Sequence, residues 1–112
     1  MNVKVEHLEK LVENKREFKT KEIHNSLRKK SMYHTWGVTS FCYYHKKGLA
    51  LKFNIDNFKG VAFITLSSFE TFSIYFIQQM RVKKELHLVH KEELLRKIDK
   101  EINYLKEITN NK

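Results

Sequence analysis

Histidines, a lone cysteine and a surplus of lysine are the chemically capable residues of this chain. Cys42 with His45, and His87 with His90, have the spacing of metal-ligand pairs. Both pairs fall in stretches that read as strand or strand end. Residues three apart on a strand point to opposite faces, so neither pair is a ready chelate. Structural zinc takes four Cys or His ligands, usually in two tight pairs. No metal and no cofactor is therefore expected. Cys42 reads as a small buried apolar residue, and the histidines as surface or half-buried groups.

Hydrolysis needs a nucleophile beside a base, or a carboxylate pair in a cleft. Ser26, Ser31, Ser40, Ser67, Ser68 and Ser73 sit in no elbow motif, and Asp56 and Glu70 are the only acids of the central region. Gly37, Gly48 and Gly60 are the only glycines, so there is no phosphate-cradling glycine loop. His34, His45 and Lys46 could supply the acid, base and phosphate contact of a small basic ribonuclease. Nothing in their spacing fixes a geometry, and the chain reads as a non-enzyme.

The basic clusters carry more. Arg28-Lys29-Lys30 is followed by Tyr33, His34 and Trp36. Tyr43-Tyr44-His45-Lys46-Lys47 closes a predicted strand, and Arg81, Lys83 and Lys84 follow another. Cations give affinity for phosphate, and exposed aromatic rings stack on unpaired bases. The candidate contact residues are Arg28, Lys29, Lys30, Tyr44, His45, Lys46, Lys47, Arg81, Lys83 and Lys84. Against this, Tyr33, Trp36 and Tyr43 could be core, and lysines at turn tips are common protection for sheet edges. The net charge of +9 favours polyanions or an acidic protein surface as partner. The excess is spread along the chain, with no basic tail.

These residues must be positioned by a central meander. Val38 to His45 is rich in β-branched and aromatic residues, and Lys46-Lys47-Gly48 ends it as a hairpin loop. Leu49, Leu51, Phe53 and Ile55 then alternate with more polar residues, a period of two. Asp56-Asn57 turns the chain. Phe58 to Leu66 has apolar residues of both parities, which predicts a central strand covered on both faces. Ser67-Ser68 turns again, and Phe72, Ile74 and Phe76 alternate on a fourth strand. Short loops require antiparallel pairing over about 38–77. Leu86 and Leu88 alternate, so 82–89 reads as a fifth strand or a connection.

Helical spacing of Val5, Leu8 and Val12, continued loosely by Phe18, Ile23 and Leu27, predicts a helical arm over about 3–35. The pattern slips near Lys15 to Thr20, so the arm is one helix or two, with Thr20 a second start. Gly37 stands where a helix would stop. Leu94, Leu95, Ile98, Ile102, Leu105 and Ile108 form the stripe of an amphipathic helix over about 91–108, with Glu92 and Glu93 in its first turn. The fold class is α+β in one domain, residues 1–112, with both arms packed on one sheet face. A chain this long buries roughly 65% of its unfolded surface. No apolar run approaches the ~20 residues of a membrane span. One cysteine and no apolar signal core at the amino terminus point to a cytoplasmic protein.

Trp36-Gly37-Val38, Lys47-Gly48-Leu49 and Phe58-Lys59-Gly60, with the closing Glu93-Leu94-Leu95-Arg96-Lys97-Ile98-Asp99, resemble small proteins of phages and mobile elements. The resemblance covers most of residues 33–105 and implies the same helix, meander, helix layout. In size, lysine richness and lack of catalytic motif the chain is similar to anti-CRISPR inhibitors of RNA-guided nucleases. That similarity implies a non-catalytic inhibitor that binds the RNA of a host nucleoprotein nuclease or an acidic protein surface on it. A basic chain does not suit mimicry of nucleic acid, which calls for acidic groups. The alternatives are a stand-alone binder of RNA or other single strands, and the small ribonuclease. Monomer and homodimer are both compatible with the sequence.

Overall fold

The computed structural model describes residues 10–13, 15–28, 32–44, 46–55, 58–67, 70–79 and 81–110. Helix α1 runs Thr20–Arg28 and α2 Met32–Trp36. Five strands follow: β1 Val38–Tyr44, β2 Gly48–Ile55, β3 Phe58–Leu66, β4 Phe72–Gln78 and β5 Arg81–Val89. A 3-10 turn at Lys91–Glu93 leads into α3, Leu94–Asn110. The sheet is an antiparallel meander in the order β1-β2-β3-β4-β5. This is the predicted α+β class, and the ambiguous segment is a strand. Glu92 and Glu93 belong to the 3-10 turn, where the His90 N–H donates to Glu93 Oε1 at 3.3 Å.

β3 is the central strand because it is apolar on both parities. Ala62 and Ile64 face one core, shared with Leu49, Leu51, Phe53, Phe72, Ile74 and Phe76. Ile23, Leu27, Trp36, Leu94, Ile98 and Ile102 from the helices cover that face. Val61 and Phe63 face a second core with Ala50, Tyr75 and Ile77, capped by Val12 and Leu11. The expectation that both arms share one face holds for α1, α2 and α3 and is corrected for residues 10–12. The helical residues 10–12 lie on the face opposite α1, α2 and α3, since a single helical layer would leave Val61 and Phe63 in water.

The slip between Lys15 and Thr20 is the crossing. Arg16 N–H donates to the Leu66 carbonyl at 3.0 Å, and Phe18 N–H to the Lys46 carbonyl at 2.9 Å. This strap passes round one end of the sheet, and Phe18 then packs edge-on against Phe72 with centroids 5.4 Å apart. α1 begins at Thr20, and α2 ends at Gly37, whose φ of 67° suits a residue without a β-carbon. The Trp36 indole N–H donates to Asp99 Oδ1 at 2.9 Å, which pins α2 to α3.

Candidate nucleic-acid interface

β1 is an edge strand, and α1 lies along its helical face. His24, in the middle of α1, is 3% exposed and lies against Phe41, with centroids 3.9 Å apart and the rings tilted by 30°. Tyr43 stands edge-on to the same imidazole at 6.0 Å and 5.6 Å from the Phe41 ring. The Tyr33 hydroxyl lies 2.9 Å from His24 Nδ1 and 3.5 Å from the His24 carbonyl oxygen. The buried histidine thus braces two aromatic rings from behind. Their outer surfaces remain in water: Phe41 is 47% and Tyr43 40% exposed.

Electrostatics fit this packing. Burial, and then the charge of Arg28, hold His24 below its ordinary pKa of 6.5, so the imidazole stacks in its neutral form at neutral pH. Burial pushes the Tyr33 phenol well above its usual value, with Tyr43 adding to the rise and Arg28 opposing it. Arg28 is exposed one turn beyond His24, at one end of this ledge. At the other end, Lys46 in the β1–β2 turn joins Lys19, Lys21, Glu17 and Glu22 around an open groove of about 660 Å³. Arg28 and Lys46, far apart in sequence, therefore flank one aromatic surface.

The structure redistributes the other predicted contacts. Lys47 is half-buried in the turn, its N–H bonded to the Tyr44 carbonyl at 2.8 Å. Lys29, Lys30 and His45 lie outside the described residues. Tyr44 is a correction: at 8% exposed it packs edge-on against Phe63 in the second core and offers no face to a base. Phe41 and Tyr43 take that role. Cys42 is a second correction, because it is exposed. Both follow from β1 being an edge, where helix coverage decides exposure. Arg81, Lys83 and Lys84 occupy β5, roughly 19 Å across four strand spacings. Lys84 lies 3.9 Å from the buried Glu101 carboxylate, beside Lys97, Lys100 and Tyr104. The ribonuclease trio is not assembled: His34 on α2 and Lys46 are separated by the length of β1, on the order of 20 Å.

A nucleophile does lie beside a base, contrary to the sequence expectation. Ser73 Oγ is 2.9 Å from His87 Nδ1, and His87 Nε2 is 3.0 Å from Glu85 Oε1. Ser67 Oγ is 2.7 Å from Ser73 Oγ, and Lys15 Nζ donates to Ser67 at 3.5 Å. The pattern was readable in principle, since Glu85 and His87 share a face and β5 pairs with β4. Yet Ser73 is 0% exposed, so no substrate reaches its hydroxyl. The chain of bonds satisfies a buried hydroxyl and ties β4 to β5.

Among the described residues no group of three or more His, Cys, Asp or Glu is placed to hold a metal ion. Nor is any of their helices long and apolar enough to cross a membrane. No protein family, curated protein or solved structure matches the chain.

Proposed function

We propose that this protein is a non-catalytic binder of unpaired RNA, with the α1–β1 ledge as its working surface. The observation that carries this reading is the exposure of Phe41 and Tyr43, braced by buried His24 and flanked by Arg28 and Lys46. Single-strand binding needs this pairing of rings that stack on bases with cations that hold phosphates. Duplex nucleic acid hides its base faces and gains little from such a ledge. The resemblance to phage-type proteins and anti-CRISPR inhibitors adds a context: the RNA is the guide of a host nucleoprotein nuclease, blocked by occupation.

The test is a fluorescence-polarisation titration with single-stranded RNA, hairpin RNA and duplex DNA at two salt concentrations. Single-stranded RNA binds best. Phe41→Ala and Tyr43→Ala each weaken it by about 1–3 kcal/mol. Lys46→Glu lowers affinity across all sequences and makes the salt dependence shallower. Binding that ignores both aromatic substitutions, or that prefers the duplex, rejects the ledge. Failure to bind any of the three ligands leaves an acidic protein surface as the partner.

A further inference from the structure

The two edges of the sheet are built differently. β5, with sequence RVKKELHLV, carries Arg81, Lys83, Lys84 and Glu85, and its register to β4 shifts at two places. At one shift Lys83 is the extra residue, since Phe76 faces Lys84 while Ile77 faces Val82. Charge and bulges of this kind stop a strand from pairing with another chain. β1, with sequence VTSFCYY, has no charged residue, although charged residues make up 31% of the chain. Its register to β2 shifts once, between Val38 and Ser40 at the start of the strand, and is unbroken from Ser40 to Tyr44. Thr39 through Tyr43 are exposed. Every second residue of such a strand turns its N–H and C=O away from β2.

We propose that β1 pairs antiparallel with β1 of a second copy of this chain, joining two five-stranded sheets into one. A backbone edge is complemented by another strand, and an antiparallel pair about a two-fold axis places the same segment opposite itself. That arrangement is tolerable only where the segment is uncharged, because like charges directly opposite repel. In a chain of net charge +9, β1 meets the condition and β5 does not. The two-fold axis runs perpendicular to the sheet, so both copies present Phe41 and Tyr43 on the same side. The pairing does not rest on the RNA reading, and would stand if no RNA bound.

Cys42, the only cysteine, sits within this edge and reports on it. The experiment is sedimentation velocity over a wide concentration series, with parallel treatment by a short bifunctional maleimide. Wild type sediments at twice its 13.6 kDa mass as concentration rises, and Cys42 forms a covalent dimer. Cys42→Lys and, separately, Ser40→Lys stay monomeric with unchanged circular dichroism, whereas Val82→Lys on β5 still dimerises. A monomer at every concentration overturns the proposal. So does a dimer that survives both β1 lysines, or one that gives no Cys42 cross-link. Ser40→Lys keeps the test valid if Cys42→Lys fails to fold. RNA titrations of the same variants separate this outcome from failure of the ledge.

Discussion

Gly48 leaves the space that the Phe63 ring fills: a β-carbon there would overlap its Cε1 and Cζ atoms. Phe63 is buried on the central strand and is the largest fully buried side chain of the second core. It has nowhere to retreat. Gly48→Ala is expected to cost about 1–3 kcal/mol, the usual range for overpacking a closed core. Chemical denaturation of both proteins checks it. Unchanged stability would mean that the ring has room the packing does not provide.

Trp36 and Asp99 make the second prediction. The indole is buried, and its N–H donates to Asp99 Oδ1 on α3 at 2.9 Å. Asp99→Ala strands a buried N–H and should cost about 1–3 kcal/mol. Asp99→Asn keeps an acceptor oxygen and should cost less. Equal losses for the two variants would show that the contact contributes packing and not hydrogen bonding.

The third concerns pH. His24 is held below 6.5 in the folded protein by burial first and by Arg28 second. The unfolded chain therefore takes up this proton at a higher pH than the folded one. Between the two values the unfolded state binds more protons, so stability rises with pH there. It is complete above about 6.5 and is lost as pH falls from that value through the folded pKa. His24→Phe keeps a ring against Phe41 and removes the titration. Urea unfolding at about pH 7.5 and about pH 5 should show a smaller acid loss in the variant than in wild type. An identical loss would assign the acid sensitivity to other groups.

The sheet was legible because its signals are local. Leu49, Leu51 and Phe53 alternate within one strand, and Lys46-Lys47-Gly48 carries its turn signal within three residues. β3 even announced its central place, through Val61 and Phe63 on one parity and Ala62 and Ile64 on the other. The same two parities required covering layers on both faces, a consequence the helical stripes alone did not reveal. The interface was less legible. Phe41, Cys42, Tyr43 and Tyr44 look alike as strand residues. Only the position of α1, and of Phe63 beneath Tyr44, decides which rings reach water. His24 gave no signal at all, since its role depends on stacking against a residue seventeen positions away. Ser73, His87 and Glu85 escaped notice because strand pairing, and not sequence spacing, brings them together.

The strap that joins Arg16 to Leu66 has a consequence for the order of assembly. Each strand of the meander meets the strand just made, at little cost in chain entropy. The strap must instead wait for a partner that lies 50 positions later in the chain. During synthesis its residues leave the ribosome before those of the meander and find their place after them. Val12, Leu11 and Phe18 travel uncovered until β3, β4 and the β1–β2 turn exist to receive them. Substitutions in the strap should accordingly speed unfolding more than they slow folding, while those at Leu51 or Ile64 should do the reverse. A nascent chain that stalls before β4 is complete leaves these apolar side chains open to aggregation and to proteases.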